Sequence, residues 1–416
     1  MFAKIQNLPL AVKQYAVITG NYWAFTLTDG ALRMLILLHF YQLGYAPLAL
    51  AMLFVFYEVF GVITNLIGGW LGARVGLNKT MNIGLFMQVF ALLMLAIPSE
   101  YLSVIYLMTA QALSGVAKDL NKMSAKSSIK LLVANVSAGD REGTLFKWVA
   151  LLTGSKNTLK GVGFFLGGFL LTTLGFQGGV LLMAAVLAVV ALLSVTLLKK
   201  DFGIAKFKPK FTDIFSKNRS LNYLSAARLC LFAARDVWFV IALPVFLASQ
   251  LEWQHQSVGA FFALWIIAYG AVQAYTPNLF NGEKRNGDTA EKIDVNGRLI
   301  ALWSTILAVV ILMVFISLAI SPYAEIVILL GLLVFGGIFA INSSLHSYLI
   351  VALAKEDGVS MDVGFYYTAN ALGRLLGTVL SGLLYQALYT DKQGLLACLL
   401  ASFLLSLAAA FFIKRV

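Results

Sequence analysis

Two lysines lie four residues apart inside a long apolar stretch of the sequence, where charge is costly. Lys156 and Lys160 share one face of a predicted helix, and like charges at this spacing repel each other. No acidic residue within the same stretch relieves the repulsion. Two interpretations follow: the lysines pair with an acid of a neighbouring helix, Asp29 or Asp119, or they bind an anionic group together with Asn157.

Charge inside apolar sequence recurs along the chain. Eight basic and four acidic residues lie within or near the apolar runs: Arg33, Lys118, Lys122, Lys156, Lys160, Arg228, Arg235 and Arg374, with Asp29, Glu58, Asp119 and Asp236. In a dry bilayer, the excess of four positive charges would cost on the order of 10 kcal/mol. A hydrated cavity that binds an anion removes this cost.

The depth of each residue in its helix ranks these candidates. At about 1.5 Å per residue, seven of them lie roughly 18 to 24 Å from the cytoplasmic helix ends: Asp29, Arg33, Lys156, Lys160, Arg235, Asp236 and Arg374. Lys118 and Lys122 come late in their helix and repeat with Lys126 and Lys130 on one face. They either face the cavity or extend their amines to the cytoplasmic interface.

The composition of the chain identifies the solvent around these helices. Of 416 residues, 60% are hydrophobic and only 12% are charged, and the mean hydropathy is +0.85. Because soluble domains carry about 25% charged residues, most of this surface must face lipid. A membrane span needs about 20 apolar residues, and twelve such runs begin near residues 17, 47, 80, 101, 144, 178, 221, 255, 298, 323, 362 and 393. We predict an all-α membrane protein with twelve transmembrane helices.

Cysteine and histidine usage points away from a metal or cofactor. Cys230 and Cys398 lie in apolar runs, and we interpret both as small apolar residues. His39, His255 and His346 are far apart and show no metal-ligand spacing. We expect no cofactor and no bound metal.

Basic residues are concentrated on one side of the predicted spans. With the N-terminus in the cytoplasm, the outer loops carry one basic residue, Lys392, against 22 on the other side. Positive charge marks cytoplasmic segments, so both termini are predicted to be cytoplasmic. The net charge of +12 is then an orientation signal, and we expect no nucleic-acid partner.

The basic segment 199–220 divides the spans into two sets of six. It is the longest polar stretch between spans, and we predict that it is a cytoplasmic linker between six-helix bundles at 1–198 and 221–416. A docking site for anionic lipid or a partner is the alternative. Paired glycines four residues apart, Gly163 with Gly167 and Gly373 with Gly377, favour close helix packing in each half.

Twelve spans in two halves resemble the major facilitator superfamily, in which the site lies between the halves at mid-depth. The segment Gly69–Lys79, GWLGARVGLNK, resembles that superfamily's G-x-L-x-D-R-x-G-R-K loop, with Ala73 at the aspartate position and Leu77 at a basic position. The resemblance makes the first and seventh spans equivalent, so we expect Arg33 and Arg235 to face each other. Two guanidinium groups there would bind phosphate-like or carboxylate groups bidentately.

Arg33 and Arg235 each have an acid nearby in sequence. Asp29 and Arg33 are one helical turn apart, so a structural salt bridge between them is an alternative to a ligand role. Asp236 follows Arg235 directly, and adjacent helical residues point about 100° apart. We therefore expect Arg235 to need another partner.

Four charged stretches resemble the ArsJ family of organoarsenical efflux permeases, a branch of the same superfamily. They are YWAFTLTDGALRML at 22–35, TNLIGGWLGAR at 64–74, QALSGVAKDLNKM at 111–123 and LTGSKNTLKGVGFF at 152–165. The resemblance implies efflux of 1-arseno-3-phosphoglycerate from a bacterial inner membrane, and hence arsenate resistance. It also implies a functional link to glyceraldehyde-3-phosphate dehydrogenase, which forms that ester. The residues themselves indicate an organic anion.

Several functional alternatives remain open at this stage. The same cavity could import or exchange sugar phosphates or other organic anions, because sequence does not show direction. A membrane enzyme acting on a phosphorylated lipid lacks support, since no paired carboxylates or nucleophile and base spacing occurs in the spans. We predict a monomeric transporter, not an enzyme, and proton antiport through Asp29, Glu58, Asp119 or Asp236. The alternative is that these four acids are permanent counter-ions.

Overall fold

A computed structural model describes residues 10–43, 55–98, 101–134, 141–198, 203–205, 218–253, 255–280, 295–388 and 390–416. Every long regular element in these ranges is a helix, as the apolar runs predict. The predicted linker at 199–220 lies mostly outside the described residues. Within it, the Ala205 amide donates to the Ala73 carbonyl oxygen at 2.8 Å.

The helices follow one another with short connections. In chain order they are α1 (Leu10–Gln42), α2 (Val55–Val75), α3 (Leu77–Leu95), α4 (Val104–Val133), α5 (Arg141–Leu197), α6 (Arg219–Phe239), α7 (Ala242–Ser249), α8 (His255–Phe280), α9 (Gly297–Ile320), α10 (Ala324–Leu353), α11 (Val359–Gln386) and α12 (Asp391–Ile413). The helix α5 contains the fifth and sixth predicted spans, and α6 with α7 corresponds to the seventh. This order is consistent with twelve spans.

Glycine and capping residues set the breaks. Within α5, Gly175 has φ 69° and ψ −179°, a conformation open to glycine, and it separates the two spans. Gly76, with φ 108°, separates α2 from α3. The side chains of Asn218 and Asn296 accept hydrogen bonds from the first amides of α6 and α9, which satisfies donors that have no partner inside the helix.

The outer faces of the helices are apolar. Six of the described helices are long and apolar enough to cross a membrane. The charged residues discussed below lie on α1, α4, α5, α6 and α11. Large hydrophobic side chains such as Phe165, Phe169 and Leu333 are exposed, as expected of surfaces that contact lipid.

The chain forms two compact units. The first comprises Met1–Ser216 with Val351–Thr368, and the second comprises Lys217–Ile350 with Ala369–Val416. In the first unit, Gly30 on α1 packs against Gly163 on α5 so closely that a Cβ at Gly163 would lie 2.7 Å from the Leu27 carbonyl oxygen. In the second, a Cβ at Gly377 on α11 would lie 2.8 Å from the Ala233 carbonyl oxygen on α6. These contacts bring the charged helices of each unit together.

Candidate functional site

In the first unit, α1, α2 and α4 position a charged group around Tyr57. The Tyr57 hydroxyl donates to a carboxylate oxygen of Asp29 at 2.6 Å, and both residues are buried. The Tyr57 ring centroid lies 4.0 Å from the Arg33 guanidinium carbon and 3.7 Å from the Lys118 amine. Asp29 therefore accepts a hydrogen bond from Tyr57, and the Tyr57 ring contacts both cations.

The next turn of α4 continues this group toward Tyr367. Asp119 lies 3.7 Å from the Lys118 amine and accepts a hydrogen bond from Lys122. The amines of Lys122 and Lys126 each lie 4.8 Å from the Tyr367 ring centroid. Lys126 also donates to the Tyr367 hydroxyl and, at 3.0 Å, to the Thr153 hydroxyl on α5.

The Lys122 side chain is buried inside the unit and ion-paired with Asp119. This burial favours the interior interpretation of Lys122 over the interfacial alternative. Lys126, which is only 3% exposed, was not among the predicted site residues. Its position near the end of α4 suggested a cytoplasmic location, but its partners on neighbouring helices hold it inside the unit. The signal was present in the four-residue repeat that begins at Lys118.

The α5 candidates lie on the helix that packs against α1. Lys156, Asn157 and Lys160 are half-buried, and the Asn157 amide donates to the Thr153 carbonyl oxygen at 3.4 Å. The Lys160 amine lies 5.8 Å from the Phe164 ring centroid, and a Cβ at Gly30 would lie 2.9 Å from the Lys160 carbonyl oxygen. Thr153, which Lys126 contacts, is one turn before Asn157. The structure thus places these residues on the helix that α4 reaches.

In the second unit, Asp236 is the counter-ion of two arginines. One of its carboxylate oxygens lies 2.5 Å from Arg235 Nε, and the other lies 3.5 Å from Arg374 Nε. Asp236 is only 1% exposed. The expectation that Arg235 needs a different partner is wrong, because the long arginine side chain spans the angle between adjacent residues.

Arg228, one of the eight intramembrane cations, belongs to the same group but was ranked below its neighbours. It is 3% exposed, and it donates through Nε to Asn370 Oδ1 at 2.8 Å. Its Nη1 donates to the hydroxyl and carbonyl oxygens of Ser343, at 3.2 and 3.3 Å. The guanidinium carbons of Arg228 and Arg235 lie 4.1 and 4.8 Å from the Phe232 ring centroid. Their seven-residue spacing on one helix face was the available signal.

Each unit therefore contains a charged cluster. We define the first cluster as Arg33, Lys118, Lys122 and Lys126 with Asp29 and Asp119, and the second cluster as Arg228, Arg235 and Arg374 with Asp236. The side chain of Glu58, a predicted coupling residue, lies outside the described residues. Among the described members, cations exceed acids by two in each cluster. Guanidinium and ammonium groups that outnumber the acids around them are suited to binding anionic oxygen atoms.

Comparisons with known proteins identify the kind of fold that carries these clusters. The sequence profile of the Major Facilitator Superfamily matches residues 18–282. No curated protein sequence matches the chain. A bacterial homologue of the iron transporter ferroportin, solved in an outward-facing state, is similar in structure, with a TM-score of 0.73, 14% identity, and coverage of 97% of this chain and 98% of that one. The human organic anion transporter MFSD10 (TETRAN) is also similar, with a TM-score of 0.72, 15% identity, and coverage of 98% and 100%.

Proposed function

Because the chain belongs to the Major Facilitator Superfamily, we propose that it exports an organic anion carrying arsenate and phosphate groups, 1-arseno-3-phosphoglycerate, and so gives resistance to arsenate. Membership confirms the coarser predictions: the chain is a multi-pass membrane transporter with the superfamily fold, and it is not an enzyme. The direction of transport and the substrate are the proposal, which follows from the resemblance to the ArsJ family and from the charged clusters.

The excess of cations over acids in the two clusters is the observation that carries the proposal. Two surplus positive charges among the described residues of each cluster would cost about 5 kcal/mol in lipid, even on the lenient insertion scale. A substrate with two acidic groups offsets this cost. An inorganic monovalent anion would offset less of it.

Residues of the clusters, together with three polar residues of α5, are chemically suited to the oxygen atoms of such a substrate. Arginine binds phosphate and arsenate groups through two parallel N–H donors, as Arg33, Arg235 and Arg374 can do. Lysine contributes point charges, here from Lys118, Lys122, Lys156 and Lys160, and Asn157 adds a neutral donor. These residues are the proposed substrate-binding set.

The acids in the clusters offer a means of coupling transport to protons. Asp119 and Asp236 bind cations that a substrate anion would also bind. Competition for these cations releases the carboxylate, which then takes up a proton more readily. Asp29 and Glu58 are the other proposed coupling residues, and antiport against protons is the proposed energy source.

The proposed location is a bacterial inner membrane, with both termini in the cytoplasm. The charge asymmetry of the loops supports this orientation. It places the transporter where glyceraldehyde-3-phosphate dehydrogenase can supply the arsenate ester, which decomposes to arsenate after export. The working unit is proposed to be a monomer.

Everted membrane vesicles test the substrate directly. Vesicles that contain the transporter should accumulate arsenic when given arsenate, glyceraldehyde 3-phosphate, NAD and the dehydrogenase, and should not accumulate it from arsenate alone. Vesicles with the Arg374→Gln variant provide the inactive control, and Lys392→Gln, in a predicted outer segment, provides a matched charge change outside the clusters. Equal accumulation from arsenate alone would show that the substrate is inorganic.

A further inference from the structure

A buried histidine in the second unit has unused hydrogen-bonding capacity. His346 on α10 is 0% exposed, and neither of its ring nitrogens has a hydrogen-bond partner among the described residues. A neutral imidazole carries one N–H donor and one nitrogen acceptor. Buried polar groups are nearly always hydrogen-bonded, so an orphaned pair of this kind requires an explanation.

The His346 ring lies near the guanidinium group of Arg228, which is already hydrogen-bonded to the protein. Arg228 donates to Ser343, which precedes His346 by three residues and so lies on the same side of α10. Arg228 is also hydrogen-bonded to α11, where the Asn370 side-chain oxygen accepts from its Nε. On α8, the polar side chains Gln273 and Tyr269 pair with each other, since the Tyr269 hydroxyl accepts a hydrogen bond from Gln273 at 2.9 Å.

A second orphaned donor lies one helical turn earlier. The Asn342 side-chain oxygen accepts a hydrogen bond from Ser304 on α9 at 3.0 Å, which fixes the orientation of the amide. Its Nδ2 atom is buried and has no hydrogen-bond partner among the described residues. Asn342 and His346 together therefore offer three N–H donors, two of them on the amide, and one acceptor near Arg228.

We infer that His346, with Asn342, determines substrate specificity by hydrogen bonding to a carbon-borne hydroxyl group of the anion whose acidic group binds near Arg228. This inference rests on the proposed function. A hydroxyl group both donates and accepts hydrogen bonds. It can therefore pair with either nitrogen of a neutral imidazole, the N–H donor or the acceptor. A site built around a hydroxyl rejects an analogue without it, because the protein's polar atoms are then left unpaired.

The complete burial of His346 is compatible with a role in a transporter. In this conformation the ring has no contact with solvent, so the inference requires that the substrate reach it in another state of the alternating-access cycle. Buried water is the simpler way to satisfy the same nitrogens. Water would leave the protein indifferent to the substrate's hydroxyl group, and this difference separates the two explanations.

The experiment compares two stable probes that differ by one hydroxyl group. The probes are 3-phosphoglycerate and 3-phosphooxypropionate, and their dissociation constants are measured by calorimetry on the purified full-length protein in detergent. The wild type should bind the hydroxylated probe about tenfold more tightly. His346→Phe should lose this preference while binding 3-phosphooxypropionate as the wild type does, which also shows that the variant is folded. His346→Gln, which keeps a donor and an acceptor, should retain most of it.

Ser406→Ala is the matched control. It removes a buried hydroxyl of the second unit, on α12, that has no hydrogen-bond partner among the described residues, and it should leave the preference unchanged. Equal binding of both probes by the wild type would overturn the inference and leave the proposed function standing, while binding of neither probe would remove both. An unchanged preference in His346→Phe would also overturn the inference. If that variant binds neither probe, Asn342→Ala decides: a reduced preference supports the inference, and an unchanged one overturns it.

Discussion

The carboxylate of Asp236 on α6 lies 3.5 Å from the guanidinium of Arg374 on α11. The same carboxylate binds Arg235, its neighbour in sequence, so one buried acid serves two cations. The ion pair between α6 and α11 occurs where Gly377 lets these helices approach closely. Helix packing and charge compensation in the second unit therefore depend on each other.

Asp236→Asn is expected to destabilise the protein strongly. Removing one partner from a buried ion pair costs about 3 to 5 kcal/mol, because the remaining charge loses its compensation. The melting temperature of the purified protein in detergent measures this loss. Adding Arg374→Gln should recover part of it, since one cation is removed with the acid. A double variant less stable than Asp236→Asn would contradict the counter-ion role.

The Tyr57→Phe variant measures what the Tyr57 hydroxyl contributes to stability, apart from the contribution of the ring. The substitution removes the hydrogen bond to Asp29 and keeps the ring beside Arg33 and Lys118, so we expect a stability loss of about 1.5 to 3 kcal/mol. Tyr57→Leu also removes the cation–π contacts, which adds about 0.5 to 2 kcal/mol. Thermal unfolding of both variants measures the difference. Equal stability of the two would mean that the ring does not stabilise the cations.

Lys126→Gln is expected to reduce transport about tenfold or more, the equivalent of losing one charge-assisted hydrogen bond. Lys126 is a buried cation of the first cluster and contacts Thr153 and Tyr367. Lys130→Gln is the matched control, because Lys130 lies one turn later and donates to the Ala352 carbonyl oxygen at 2.7 Å. Arsenic accumulation in everted vesicles, given the complete enzymatic mixture, provides the rates. A similar loss in both variants would argue that the position within the first cluster is unimportant.

Lys156→Gln and Lys160→Gln should each abolish transport without preventing insertion into the membrane. Their half-buried side chains bring positive charge to the helix that packs against α1. Lys79→Gln, an exposed lysine of the same unit, controls for the loss of a charge alone. Transport rates in vesicles are normalised to the amount of inserted protein. Normal rates in both α5 variants would assign these lysines a structural role.

Gly163→Ala tests the close packing of α1 and α5. The new Cβ would lie 2.7 Å from the Leu27 carbonyl oxygen and 3.1 Å from the Gly30 Cα, so the helices must separate. Overpacking of this kind costs about 1 to 3 kcal/mol, which the melting temperature should show. Gly168→Ala is the control, since its nearest neighbour would be a Leu38 methyl carbon at 3.7 Å. A loss of stability in both variants alike would instead reflect a general effect on α5.

Some parts of the fold and site were predictable from residue types and spacing. Apolar runs of membrane length predicted the helices, because lipid requires every backbone polar group to be bonded within the helix. Glycines four residues apart indicated the close contact at Gly163, since small residues at this spacing let two helix backbones approach closely. Charged residues inside apolar runs were also evident from sequence, because charge is costly in lipid. They include most members of both clusters.

The partners of these charges were not predictable in the same way. Tyr57 and Tyr367 look like ordinary members of apolar spans, because an aromatic ring attracts cations without altering the hydropathy of its helix. Lys126 was one of the 22 basic residues of the predicted cytoplasmic side, and the sequence did not show that its side chain is buried against Thr153 and Tyr367. The spacing of Arg235 and Asp236 describes the directions of their Cα–Cβ bonds and ignores the reach of a long side chain. The resemblance to the ArsJ family stays a prediction.

The ring of Phe232 lies within contact distance of two guanidinium groups, those of Arg228 and Arg235. Because both arginines contact one ring, replacing either of them changes the surroundings of the other. We therefore expect the free-energy effects of the two single replacements not to sum to the effect of replacing both.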